Sequence, residues 1–179
     1  QRTNQTHSSK TDAEARLMRK GRGKEAKLSF SGHALMENRH GLLLDMQITE
    51  ANGTAERETA VAMIDRLRPQ RRVTLGADRG YDTRAFVANC RERDVTPHVA
   101  QHQHHRRRSA IDRRTTCHSG YAASQRVRKR IEAIFGWMKT VGGLRRTRFL
   151  GIRRTQLAAH IVGAAYNLLR IAKLIRSTC

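Results

Sequence analysis

Two carboxylates in this 179-residue sequence stand where they could do chemistry. Asp78 closes the short apolar run Val73-Thr74-Leu75-Gly76-Ala77 and opens Asp78-Arg79-Gly80-Tyr81. A short apolar run bounded by turn residues reads as a buried strand. Ligand sites in open α/β sheets lie at the carboxyl ends of such strands. Glu132 sits in a second setting, where Val127, Ile131, Ile134, Met138 and Val141 recur at alternating spacings of four and three. That spacing predicts one long helix from about Ala122 to the paired glycines Gly142-Gly143, which act as a stop. At about 100° per residue, Gln125, Arg128, Glu132 and Lys139 share a narrower stripe of that helix.

Two carboxylates from separate elements, in a basic chain, suit a Mg²⁺ (or Mn²⁺) site acting on phosphodiesters. Hard cations take oxygen ligands and keep one or two protein carboxylates beside phosphate and water. Two such metals about 4 Å apart would clamp the attacking and leaving oxygens of an in-line displacement. Arg128 and Lys139, on the Glu132 stripe, would then hold the phosphate backbone. The plainer alternative makes Asp78 a turn residue or helix cap. Arg128 and Glu132 would then be a surface pair four residues apart, worth only a few tenths of a kcal/mol.

Composition narrows the partner. Lys and Arg number 36 against 15 acids, giving a net charge of +21 spread along the chain. Such a field attracts polyanions, most plainly nucleic acid. Aromatics are only 4%, so duplex backbone contact fits better than base stacking along a single strand. Cys90, Cys117 and Cys179 are odd in number and lack a C-x-x-C spacing; they read as reduced cytosolic thiols. No run of some 18 apolar residues suggests a membrane span, and the polar start lacks the apolar stretch of a signal peptide. A first residue Gln1 rather than Met raises the expectation of a fragment of something larger.

The elements that must position these residues follow in order. Residues 1–26 read as an irregular basic arm or loop, and 27–179 as the folded domain. Lys27 to Met36 and Leu42 to Thr49 alternate in polarity around a turn at Glu37 to Gly41, which makes an antiparallel hairpin. In the first run Leu28 and Phe30 oppose Ser29 and Ser31; in the second Leu42, Leu44, Met46 and Ile48 oppose Leu43, Asp45, Gln47 and Thr49. A helix follows, capped by Thr54, buried through Ala60, Val61, Ile64 and Leu67 and stopped near Pro69. After the strand Val73 to Ala77, Asp82-Thr83 caps a helix through Arg93, buried through Phe86, Val87 and Cys90. Val95 to Val99 is a further strand. Gln101 to Ser119, with His102, His104, His105 and Arg106 to Arg108, reads as a solvated basic loop rather than a zinc site. Beyond the Glu132 helix, Arg145 to Arg154 connects to a last helix, Thr155 to Ile175. That helix carries Leu157, Ile161, Ala164, Ala165, Leu168, Leu169, Ile171 and Leu174, and it should cover the sheet. Phe135 and Trp137 read as core anchors. A hairpin followed by βαβ-like units predicts an α/β fold, a mixed sheet flanked by helices.

Two boxes carry a resemblance. Asp78-Arg79-Gly80-Tyr81 resembles the D-x-G-Y box of insertion-sequence transposases of the Asp-Asp-Glu (DDE) type. Arg128, Glu132 and Lys139 match the R-x3-E-x6-K spacing of their C-terminal signature, Y-R-E-K, with Gln125 in place of its Tyr. Thr11 to Leu17, Gly32 to Asn38 and Phe135 to Thr140 extend the likeness over almost the whole chain. It is strongest with the insertion sequence five group.

The resemblance implies an RNase H-like catalytic domain, Mg²⁺ dependence, and cleavage and joining of double-stranded DNA at transposon ends and target. It also implies a homo-oligomer on DNA acting in the bacterial cytoplasm at the nucleoid, without a membrane. It makes Asp78 the second and Glu132 the third metal-holding carboxylate. Arg79, Tyr81, Arg128, Lys139, Arg145 and Arg146 become DNA-contacting candidates. The first carboxylate belongs on an earlier strand, in a segment preceding the part that resembles Gln1 to His7, so this chain alone is expected to be inactive. Asp45, mid-strand in the hairpin, is the alternative for that role, but it reads better as a solvated face. The rival from another class is a basic nucleic-acid-binding protein without chemistry, which explains the charge but not Asp78 and Glu132 in these contexts.

Overall fold

The computed structural model describes residues 3–19, 21, 23–52, 55–103 and 108–178. It is a mixed α/β chain that divides into two compact units, Gln1–Thr59 with Ile131–Cys179, and Ala60–Arg130.

The first unit holds a three-stranded antiparallel sheet in the order β1-β2-β3 (Arg16–Arg19, Ala26–Met36 and Leu43–Glu50). β1 falls inside the segment read from sequence as an irregular arm. It pairs with the start of β2, from Arg16 opposite Ser29 to Arg19 opposite Ala26. The connection turns at Gly23, whose φ of +79° is open to glycine and strained for most other residues. Nor is the segment before β1 a free arm. Asp12 accepts from the Gly151 N–H (3.0 Å) and Glu14 from the Ile152 N–H (2.9 Å). These are orphan donors at the start of a helix, where negative charge is stabilising.

The predicted hairpin is present, with Phe30 opposite Glu50 through Ala34 opposite Met46. Its facing differs from simple alternation. Leu35 pairs with Asp45 and Met36 with Leu43, so Leu44 is an extra residue bulged out of register. The bulge exposes Leu44 and turns Leu43 inward alongside Met46. On β2 the buried pair is Ser31 and His33 rather than Leu28 and Phe30. The His33 ring bonds the Thr49 hydroxyl at 2.8 Å.

Two helices of this unit pack on the hairpin. They are labelled here by chain order as α5 (Ile131–Thr140) and α6 (Ile152–Thr178), after α1 (Ala55–Leu67), α2 (Arg84–Glu92), α3 (Arg113–Thr116) and α4 (Ser119–Val127). Leu43, Met46, Ile134, Met138 and Ala159 form the core, flanked by Trp137 and Tyr166 in an edge-on pair with ring centres 5.6 Å apart. Trp137 is thus an anchor as expected. Phe135 is not part of that core, and its ring lies 5.6 Å from the Lys139 ammonium instead.

α6 meets β3 through polar side chains as well as apolar ones. The Asn167 amide accepts from the Leu43 N–H and donates to the Leu43 carbonyl, both at 2.8 Å. The Gln156 amide does the same for the Ile48 N–H (2.6 Å) and the Met46 carbonyl (2.7 Å). Two side-chain amides therefore satisfy the free edge of β3, as a further strand would. This fixes which face of α6 turns inward. It is not the face of Leu157, Ile161 and Leu168, all of which are exposed. The Gly142-Gly143 stop is borne out. Gly143 has φ +69°, and the Leu144 N–H returns to the Met138 carbonyl (3.0 Å). Val141, assigned from spacing to the apolar face, lies past the end of α5 and is exposed.

The second unit is built on a parallel pair, β4 (Val73–Ala77) and β5 (Val95–Val99), joined by α2. Thr83 caps α2 by accepting from the Phe86 N–H (3.2 Å), and Phe86, Val87 and Cys90 are buried, as the sequence predicted. Ile64, Val95, Val99 and Ile111 complete the core. Leu67, expected inside, is exposed, and Met63 is buried in its stead. Asn52 accepts from the Ala55 N–H at the start of α1; Thr54, the expected cap, lies outside the described residues. Burial pushes the Cys90 thiol up to about 12. Cys90 and Cys117 are both free, and Cys179 lies outside the described residues. The segment read as a loop to Ser119 contains α3, and α4 begins at Ser119 itself. No single mixed sheet joins these strands among the described residues. They form separate sheets of three and two.

Candidate active site

β4 ends at Ala77, so Asp78 is the first residue beyond the strand. Its backbone is extended (φ −79°, ψ 179°), and its carboxylate accepts the Gly80 N–H at 2.8 Å, opening a 3-10 turn over Arg79–Tyr81. A Cβ at Gly80 would lie 3.0 Å from the Asp78 Oδ1, so glycine gives the carboxylate its place. Asp78 is exposed, with one oxygen tied to the backbone. Arg79 is exposed beside it. Tyr81, expected to touch DNA, packs edge-on against Phe86, ring centres 5.1 Å apart, on the core of its unit.

The helix that carries Glu132 is interrupted. α4 ends at Val127, Arg128–Arg130 form a 3-10 turn, and α5 starts at Ile131. The one-helix expectation is corrected here, because the 100° rule does not carry through a tighter turn. Glu132 and Lys139 remain on one stripe of α5; Arg128 leaves that register. The interruption accompanies a close approach to β4. A Cβ added at Gly76 would sit 3.3 Å from the Arg128 Cβ and 3.5 Å from the Ser124 Oγ. The glycine lets α4 and the turn approach the strand two residues before Asp78.

Gln125 explains how Arg128 is aimed. It donates to the His98 carbonyl on β5 (2.5 Å) and accepts from the Arg128 Nε (3.0 Å). At the position where the Y-R-E-K signature has Tyr, an amide thus ties the guanidinium to the sheet. The nearest sequence signal was the shared stripe of Gln125 and Arg128. His98 is buried, its Nδ1 has no partner among the described residues, and burial followed by the nearby His118 lowers its pKa below the usual 6.5.

Asp82 was read from sequence as part of the α2 cap and does something else. Asp82 is 2% exposed, and its carboxylate accepts from the His102 N–H (2.7 Å) and the Ala110 N–H (2.8 Å). It closes the base of the basic segment between those residues. Burial alone would raise its pKa, but the His102 N–H, the Ser109 hydroxyl, the Ala110 N–H and the His102 charge together hold it below 3.8. His104, His105, Arg106 and Arg107, the heart of that basic loop, lie outside the described residues.

Glu132 is exposed on the first turn of α5. Lys139, Arg145 and Arg146 are exposed in the same unit. Asp45 accepts from the Gln47 side chain (2.7 Å) within β3, an ordinary surface-strand setting. Among the described residues, no group of three or more His, Cys, Asp or Glu side chains could hold a metal ion. Asp78 and Glu132 are nevertheless exposed oxygen donors, the donor type that Mg²⁺ takes. No helix among the described residues is long and apolar enough to cross a membrane.

Residues 3–168 match the family model of the transposase DDE domain. No curated protein and no solved structure matches the chain.

Proposed function

The chain belongs to the transposase DDE domain family, and from that premise we propose that it serves Mg²⁺-dependent cleavage and joining of double-stranded DNA at transposon ends. On this reading it is an RNase H-like domain of the insertion sequence five group, acting on DNA as a homo-oligomer in the bacterial cytoplasm. Asp78 and Glu132 are its second and third metal-holding carboxylates. A divalent metal held by these carboxylates would supply Lewis-acid activation of water or a 3′-hydroxyl and charge stabilisation at the phosphate.

The chain's own residues position the substrate. Arg128, held by Gln125, binds a phosphate oxygen. Lys139, Arg79, Arg145 and Arg146 neutralise the backbone on either side. The turn at Gly80 keeps the Asp78 carboxylate at the strand end, and Tyr81 acts by fixing that turn against Phe86 rather than by touching DNA. Asp82 holds the base of the basic segment near the same strand end. The observation that carries the reading is the exposed Asp78 carboxylate at the end of β4, two residues from a glycine that admits Arg128.

The resemblance also implies a first carboxylate on an earlier strand, beside Asp78 and Glu132, and with those two alone the chain is proposed to bind DNA without cutting it. Strand cleavage of transposon-end DNA, by this chain beside a version extended upstream by a strand carrying an Asp, tests the proposal. The longer protein should cut only with Mg²⁺ or Mn²⁺, and Asp78→Ala or Glu132→Gln should abolish cutting. Turnover by the short chain would overturn the three-carboxylate requirement, and cutting that survived Asp78→Ala would overturn the site. A basic binding protein without chemistry would show salt-sensitive DNA binding and no metal-dependent nicking in either form.

A further inference from the structure

Between α5 and α6 the chain crosses a short stretch whose ends are fixed and whose middle is bare. At the α5 end Gly143 turns with φ +69°, and the Leu144 N–H returns to the Met138 carbonyl (3.0 Å) while its side chain packs on the core. At the α6 end Gly151 turns with φ +81°, and Asp12 and Glu14 hold the Gly151 and Ile152 N–H groups. Between these anchors every residue from Arg145 to Leu150 is exposed. The Thr147 hydroxyl accepts from the Phe149 N–H (3.1 Å), which fixes the backbone that presents Phe149 and Leu150. These two large apolar residues are 48% and 53% exposed. Arg145, Arg146, Arg148, Arg153 and Arg154 surround them in sequence, all exposed, and no acidic residue follows Glu132.

We propose that Phe149 and Leu150 are a wedge that enters the base stack of duplex DNA, while the arginines around them hold the phosphates. Charge selects the occupant, since five guanidinium groups within one short segment attract a polyanion. The family match makes that polyanion DNA. A duplex drawn onto these arginines meets the segment with phosphates and polar groove edges. Apart from thymine methyls, its apolar surface is the faces of its base pairs, which lie inside the stack. Apolar side chains reach those faces by parting one base step, which unstacks it and kinks the duplex. The fixed ends serve this role, because a segment already held in place loses little freedom on binding. The low aromatic content agrees with it as well: a wedge needs one ring, whereas a stacking platform needs a row of them.

The inference rests on the DNA-acting reading above and adds how the duplex is gripped. Its test uses this chain without divalent metal, so it stands apart from the cleavage reaction. Two duplexes of equal length and charge are compared, one fully paired and one with a central mismatch whose unstacking cost is already met. The chain should bind the mismatched duplex at least about tenfold more tightly. Phe149→Ala with Leu150→Ala should bring that ratio close to one while leaving the salt dependence and the circular dichroism spectrum unchanged. Phe149→Trp should keep the preference. Arg148→Ala should instead lower the slope of log affinity against log salt by about one. Salt-sensitive binding with equal affinity for the two duplexes, or a preference that survives the double alanine variant, would overturn the wedge and leave the DNA reading standing. Absence of binding to either duplex would overturn both. An anionic lipid surface also takes basic residues beside an aromatic ring. Capture by phosphatidylserine vesicles that the double alanine variant loses, with the duplex ratio unmoved, would assign the segment to lipid and overturn the proposal.

Discussion

Replacing Asp82 should release the backbone at His102 and at Ala110 while leaving β4 and β5 paired. Asp82 is buried, and beside the Ser109 hydroxyl its two oxygens accept from backbone donors 20 and 28 residues away in sequence. Asp82→Ala leaves both N–H groups unsatisfied, at about 1–3 kcal/mol each. A local loss of about 3 kcal/mol is roughly a hundredfold in the opening equilibrium. Asp82→Asn keeps one acceptor oxygen, so it should cost about half as much, with one amide released before the other. Hydrogen exchange read amide by amide is the assay. His102 and Ala110 should lose protection in the alanine variant, while the α2 amides from Val87 to Cys90 keep theirs. The same bonds hold the carboxyl below 3.8. Their stabilisation is complete above that pH and is lost as pH falls through the lower folded value. Unchanged protection at both amides in Asp82→Ala would refute the reasoning.

Three further outcomes follow from the same geometry. Gly142→Ala places a Cβ 2.4 Å from the Val162 Cγ1 and 2.8 Å from the Met138 carbonyl oxygen. It should therefore cost about 1–3 kcal/mol in urea unfolding, with Val162→Ala relieving part of it. Burial lowers the pKa of both His33 and His98 below 6.5. The unfolded chain thus binds more protons, and the urea midpoint should hold above pH 6.5 and fall as pH drops from there toward 5. A midpoint flat or rising over that range contradicts the burial of both rings. Arg145→Ala and Arg146→Ala should each reduce the slope of log affinity against log salt for duplex DNA by about one, and an unchanged slope removes that residue from the interface.

The stretch from Val73 to Val99 was legible almost residue by residue, because each apolar run there is bounded by its own turn or cap: Asp78 after β4, Thr83 before α2. The hairpin was legible as a pair of strands but not in its facing. One extra residue at Leu44 reverses the alternation, and no periodicity announces a bulge. The break at Arg128–Arg130 was hidden for a different reason. The apolar spacing on both sides is helical, and the interruption accompanies a close approach to Gly76, a residue distant in sequence. α6 covers β3 as its apolar content suggests, but hydrophobicity does not tell which of its faces turns inward. Gln156 and Asn167 turn inward since the edge of β3 needs hydrogen bonds, which leucines cannot supply. In the candidate site, Asp78 and Glu132 stand out in the sequence by type and setting, whereas the partners of Gln125 and Asp82 are brought near only by the fold.

The proposal that Asp78 and Glu132 are both metal-holding carboxylates has a direct test. Mn²⁺ titrated into this chain, followed by paramagnetic broadening of its backbone amides, should broaden signals around Asp78 and around Glu132 together. Asp78→Asn or Glu132→Gln should weaken both sets at once. Broadening confined to one of the two positions, or indifferent to Glu132→Gln, would contradict the account.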